Sequence, residues 1–281
     1  MSLPSHAMIA SFRTAEVFTN LQRQLGPVNR VLLLLWLVLM ILTPAFLRFG
    51  SPPVLALTLT FATMAQVGLV LGLLTTAWNA PRVFGVGMFV AATTWIVEYA
   101  GVRTGLPFGA YAYTSALQPQ IGGVPAHIPA AWLMMLPPAW AVGKAMTRCR
   151  RTTCGRSWHG IAAHSLVSGL AMTAWDLYLD PQMVSWQLWQ WDSPGIYFGV
   201  PLLNFAGWTL TAFCITLVLE ATVLLDPLPV ESLLLVYSLV WMLEAVGLGL
   251  FFRLPGAAAT GFLGMGIFVA IAWHKLLATP A

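Results

Sequence analysis

Glu98, Asp176, Asp180, Asn204 and His127 lie within or at the edges of segments that are otherwise apolar. Acidic side chains in such segments are costly, and they persist where they bind, relay protons or do chemistry. Burial in low dielectric disfavours an ionised carboxyl group, and a second carboxylate nearby disfavours it further. An acid of this kind can protonate a weakly basic carbon, while a partner carboxylate accepts a proton from an attacking water. Asp176 and Asp180 are four residues apart and share one helix face.

The elements that must position these groups follow from composition. The chain has 281 residues, 59% of them hydrophobic and 8% charged, against about 25% charged in a typical soluble domain. This predicts an all-α polytopic membrane helix bundle. Eight stretches are long and apolar enough to cross a bilayer: 31–48, 54–77, 83–102, 128–146, 158–178, 201–224, 231–252 and 258–277. Pro137 and Pro138 predict a kink in the fourth span. Gly68, Gly72, Gly261, Gly264 and Gly266 predict close helix packing. Residues 1–27 read as an interfacial or flexible segment without the apolar core of a signal peptide, ahead of a single transmembrane catalytic domain over 28–281.

With the N-terminus inside, Arg13, Arg23, Arg30, Arg82, Lys144, Arg148, Arg150, Arg151, Arg156 and Lys275 fall on one face, and Arg48, Arg103 and Arg253 on the other. That bias predicts both termini in the cytoplasm; the expected location is a bacterial or archaeal cell membrane. It also explains the net charge of +4 by the membrane and its lipids, without a nucleic-acid partner. Cys149, Cys154 and Cys214 have neither metal-site nor disulfide-framework spacing and read as reduced thiols.

Two connections, 103–127 and 179–200, are Gly-, Pro- and Trp-rich and exceed simple turns. Glu98, Asp176, Asp180, Asn204 and His127 all reach a similar depth beneath them. Individual residues also have plainer readings. Asp180 precedes Pro181 and fits a helix end in water. Trp186, Trp189 and Trp191 fit an interfacial belt better than a substrate wall. Glu220 is expected to reach the opposite interface, His164 to be a hydrogen-bonded bundle residue, and Glu244 to sit near mid-span. "WIVEYAG" and "WMLEAVG" share W-x-x-E-x-x-G, while "GVPAHIPAAW" and "GVPLLNFAGW" share Gly-Val-Pro and a Trp. Such a repeat would arrange Glu98, Asp176 and Glu244 around one cavity.

"EYAGVRTGLPFGAYAYT", "GVPAHIPAAW", "AWDLYLDPQMVSWQLWQW" and "YFGVPLLNFAGW" occur in that order. Over roughly residues 90–215 the chain resembles the carotenoid biosynthesis membrane proteins of the bisanhydrobacterioruberin hydratase (CruF) type. The resemblance implies hydration of the terminal isopropylidene double bond of an acyclic carotenoid, giving a tertiary alcohol, with no metal or organic cofactor. Glu98 is then the expected proton donor and Asp176 its partner, with Asp180, Asn204 and His127 completing the catalytic set. Tyr111, Tyr113, Trp132, Trp175 and Trp208 are the expected walls around the cation, with Arg103 and Glu244 as further substrate contacts. The carotenoid would enter from the bilayer; oligomeric state is not legible.

Carotenoid cyclization shares the acid and the cation and is the nearest alternative. A prenyl transferase would need a second Asp-rich motif with basic residues nearby, and a di-iron oxygenase would need regularly spaced histidines. A proton-coupled transporter would line a path across the bilayer rather than gather acids at one face.

Overall fold

The structure is a computed structural model that describes residues 6–50, 52–147, 157–223 and 227–278. Among them α1 spans His6–Gln24, α2 Pro27–Phe49, α3 Pro52–Leu74, α4 Ala80–Thr104, α5 His127–Met146, α6 Trp158–Ser185, α7 Leu202–Val223, α8 Val230–Val246 and α9 Pro255–Ala278. Each of the eight expected spans has its helix, α2 to α9. α2, α3, α4, α7, α8 and α9 are apolar and long enough to cross a membrane by length and composition. The other two, α5 and α6, are among the most buried helices, and buried polar side chains are shared among α4 (Glu98), α6 (Asp176, Asp180) and α7 (Asn204, Glu220).

Helix ends follow local chemistry. Asn79 caps α4 by accepting from the Arg82 amide at 3.1 Å, and Gly105 ends it in the left-handed region at φ 74°. Ser157 caps α6. α5 is the hub, packed on α3, α4, α6, α8 and α9, and most of its side chains are buried. Gly68 and Gly72 face Leu32 and Asn29 of α2, whereas Gly261 and Gly264 face Tyr178 and Leu177 of α6. A side-chain carbon at Gly261 would lie 2.4 Å from the Tyr178 ring, so this helix pair needs glycine to close up.

Proline does not break the two central helices, and side chains take two of the carbonyls it frees. Pro138 cannot bond the Met134 carbonyl, which instead accepts from Gln66 Nε2 at 3.5 Å. Pro181 frees the Leu177 carbonyl, which accepts from the Tyr197 hydroxyl at 2.9 Å. α6 therefore continues through Pro181 to Ser185. This corrects the expectation that Asp180 ends a helix in water: it is 2% exposed.

α1 is tied to the start of α8 by reciprocal bonds. Asn20 and Gln24 donate to Glu231 at 3.1 and 3.2 Å, and Gln24 accepts from the Ser232 amide at 3.2 Å. At the other end, the two long connections are stitched together. β1 (Tyr111–Tyr113) pairs antiparallel with β4 (Trp189–Trp191), placing Tyr111 opposite Trp191 and Tyr113 opposite Trp189. A second ribbon joins β2 (Gln120–Ile121) to β3 (Val124–Pro125). The basic cluster at Arg148, Arg150, Arg151 and Arg156, with Cys149 and Cys154, lies outside the described residues; Cys214 is an exposed free thiol on α7.

Candidate active site

The β1–β4 ribbon forms a lid over one end of the bundle, and its register decides which side chains turn inward. Residues two apart in a strand share a face, so Tyr111, Tyr113, Trp189 and Trp191 point together into the protein. Trp189 and Trp191 are 6% and 7% exposed. The expected interfacial belt is corrected accordingly: pairing with β1 turns these two rings into the interior, and Trp186 packs edge-on against Phe252.

Glu98, on α4, is 3% exposed and receives three hydrogen bonds. Its Oε2 accepts from Tyr111 at 2.5 Å and Tyr113 at 2.7 Å, and its Oε1 accepts from Trp132 Nε1 at 3.2 Å. The "GLPFGAYAYT" stretch makes this possible by fitting between two helices that offer glycine. A side-chain carbon at Gly101 would lie 3.1 Å from the Tyr111 hydroxyl, and one at Gly207 would lie 2.6 Å from the Pro107 carbonyl. Burial raises both tyrosine pKa values above the ordinary phenol range, and the charge of Glu98 raises them further. The phenols stay protonated and remain donors.

A second acidic group lies beside the first. Asn204 on α7 donates one amide hydrogen to Asp176 Oδ2 at 2.8 Å and the other to Asp180 Oδ2. Trp189 Nε1 donates to Asp180 Oδ1 at 3.0 Å. Asp176 Oδ1 is buried with no hydrogen-bond partner among the described residues. Asp180 adds to the electrostatic pressure on Tyr111, so the two acidic groups share one electrostatic environment.

A largely apolar cavity of about 260 Å³ adjoins this cluster. Its walls include Trp132, Trp175, Trp189 and Trp208, with Trp132 stacked on Trp208 at 4.2 Å and Trp175 edge-on to Trp208 at 6.0 Å. Glu98 and Asp180 stand behind the cavity wall, reaching it through the N–H groups of Trp132 and Trp189. The ionisable residues that line the cavity are His127 and Glu244. His127 Nε2 pairs with Thr60 at 2.6 Å, and its Nδ1 has no partner among the described residues. Glu244 lies on α8, three residues before a π-helical turn at Gly247–Phe251.

The structure thus brings Glu98, Asp176, Asp180, Asn204, Tyr111, Tyr113, Trp132, Trp175 and Trp208 together, and places His127 and Glu244 on the adjoining cavity. Arg103 does not join them. It is exposed, with its guanidinium 4.4 Å from the Tyr99 ring centre. Glu220 is also corrected: it is fully buried, held by Lys144 at 2.6 Å and by Trp140. Lys144 on α5 reaches it, so it does not extend to an interface. Sequence reasoning missed Trp189 as a site residue and Gln66 and Gln182 as cavity residues. The alternating W-x-W of β4 was the available signal for Trp189.

A family profile described as "Carotenoid biosynthesis protein" matches residues 52–271. The chain belongs to that family. It is 33% identical over 117 residues to bisanhydrobacterioruberin hydratase of Haloarcula japonica, a match covering 41% of this chain and 37% of that protein. No solved structure matches. The apolar helices and the family together make it an integral membrane protein.

Proposed function

We propose that the protein is a carotenoid hydratase, adding water across the terminal isopropylidene bond of an acyclic carotenoid to give a tertiary alcohol. The observation that supports this best is an apolar, tryptophan-walled cavity with carboxylates directly behind its indoles. Protonation of a trisubstituted alkene gives a tertiary cation. Aromatic faces stabilise a cation by roughly 0.5–2 kcal/mol each, and an indole whose N–H donates to a carboxylate is richer in electrons at its face. Trp132, bonded to Glu98, and Trp189, bonded to Asp180, are such indoles.

The cavity suits an end group rather than a whole polyene, since drug-sized ligands take about 300–1,000 Å³. Its lining includes Ile41 of α2, 65% exposed, together with Val246 and Phe251 beside the π-turn, 43% and 56% exposed. These side chains face the lipid, so the polyene enters laterally between α2 and α8 with its tail in the bilayer. Asp176 Oδ1, buried and without a partner among the described residues, is the kind of acceptor at which an ordered water is held. By the distribution of Lys and Arg, the lid faces away from the cytoplasm.

The test is expression in cells that make acyclic carotenoids, with H₂¹⁸O in the medium and product masses measured after chromatography. The expected product gains one labelled water per reacted end. Glu98→Gln and Asp176→Asn should each abolish it while membrane accumulation stays near normal. An unchanged mass with a shifted spectrum would replace hydration with cyclization. An unaltered pigment in cells accumulating the protein, alongside uptake by loaded vesicles, would favour a transporter.

A further inference from the structure

The cavity presents a carboxyl group of a different kind from the lid-end cluster. Glu98 receives three donors, and Asp176 and Asp180 share the amide of Asn204. Those carboxyl groups therefore have hydrogen-bond donors already in place. Glu244 lines the cavity itself, and no side chain among the described residues donates a hydrogen bond to it. A carboxylate has nothing there to hold its charge, whereas a neutral carboxylic acid fits an apolar wall.

Backbone geometry sets this residue apart as well. Glu244 is followed by the π-turn at Gly247–Phe251, where α8 widens next to the cavity mouth. Such local departures from α-geometry recur at functional sites. The Gly247 amide closes onto the Glu244 and Leu243 carbonyls, so the irregular turn begins within one helical turn of the acid.

From these placements we infer that Glu244 is the catalytic proton donor of the hydration proposed above, with Glu98 and Asp180 as positioning residues that act on the cation through Trp132 and Trp189. This rests on the hydratase reading. The acid proton of Glu244 passes to the less substituted alkene carbon, as the π-bond breaks and a C–H bond forms. The positive charge falls on the tertiary carbon against the indoles. Water oxygen bonds to that carbon, and the proton released from the resulting oxonium returns to the Glu244 carboxylate. One water is added, and the enzyme ends in the form in which it began.

The experiment compares wild type, Glu244→Gln and Glu244→Asp as purified full-length protein with an acyclic carotenoid in detergent or vesicles. Two readouts are taken: ¹⁸O-labelled product, and the absorbance shift of bound pigment before turnover. Gln is isosteric with the neutral acid but has no acidic proton. It should therefore bind the pigment normally and hydrate it at least about a hundredfold more slowly, the usual scale of general-acid loss. Asp keeps the proton on a shorter arm and should recover at least tenfold over Gln.

Hydration by Glu244→Gln within about threefold of wild type would overturn the assignment. So would loss of the pigment shift in Glu244→Gln and Glu244→Asp alike, because the residue would then serve binding or packing. If wild type binds the pigment but yields no labelled product, it is the hydratase reading that fails, and the donor assignment goes with it.

Discussion

The lid is fastened to the site by two phenols on one carboxylate oxygen, and this makes a local stability prediction. Tyr111→Phe removes the 2.5 Å bond to Glu98 Oε2 and leaves Tyr113 at 2.7 Å and Trp132 at 3.2 Å. A hydrogen bond to a charged group contributes about 1.5–3 kcal/mol net. At about 1.4 kcal/mol per factor of ten, lid opening should become roughly 10- to 150-fold more frequent. The ring stays, so its edge contacts with Phe108 and Tyr113 persist and the change isolates the hydroxyl. Removing both hydroxyls should cost more than the sum of the single losses. The second removal leaves a buried carboxylate oxygen without any donor, which costs about 3–5 kcal/mol when a buried charge loses its partner.

Amide hydrogen exchange reads this directly. The Thr114 amide donates to Leu188 and the Asp192 amide to Ala110, each at 3.0 Å, flanking the β1–β4 ladder. Both should exchange faster in Tyr111→Phe by the stated factor, while amides in the middle of α5 keep their wild-type rates. Acceleration of less than threefold at Thr114 and Asp192 in a folded variant would refute the idea that the phenols hold the lid. Equal acceleration in α5 would show that the substitution loosens the whole bundle instead.

Two further predictions concern groups at opposite ends of the molecule. Glu220→Leu leaves Lys144 and Trp140 without their acceptor and should destabilise the bundle by about 3 kcal/mol, since one member of a buried pair is left behind. Glu220→Leu with Lys144→Met should regain most of that in thermal unfolding in detergent, and a double variant no better than the single would contradict the pairing. Burial and the Glu98 charge raise Tyr111 and Tyr113 above the unfolded phenol value of about 10, and burial pushes Tyr197 up to about 12. Because the folded values are the higher ones, this stability is fully present below about pH 10 and is lost as pH rises beyond it. Limited proteolysis of the lid should therefore stay slow to that pH, and release near neutral pH would contradict the buried donors.

The helices were legible because each apolar stretch states its own length: all eight expected stretches are helical, and six of them are long and apolar enough to cross a membrane. The convergence of Glu98, Asp176, Asp180 and Asn204 was legible too, since each lies near the same end of its span. What was not legible depends on partners distant in sequence. Pro181 reads as a helix end until Tyr197, sixteen residues later, takes the Leu177 carbonyl. Trp189 and Trp191 read as a membrane belt until the register with Tyr113 and Tyr111 turns them inward. Arg103 carries a charge near the acids in sequence, yet its helix face turns it outward onto Tyr99.

The least legible feature was that Glu98, Asp176 and Asp180 do not line the cavity. A sequence shows that carboxyl groups converge, but not which of them meets a ligand and which meets a donor. That distinction matters for any reaction through a carbocation. A carboxylate held permanently charged against a tertiary cation can capture it as an ester, whereas the charge of Glu98 or Asp180 behind an indole stabilises the cation while its own oxygens stay out of reach. Trp132 and Trp189 provide that separation by donating their N–H groups to Glu98 and Asp180 and turning their faces to the cavity. Replacing Trp132 by Leu would remove both the aromatic face and the screen, so its loss should be larger than that of Trp175, which lines the same cavity without a carboxylate bonded behind it.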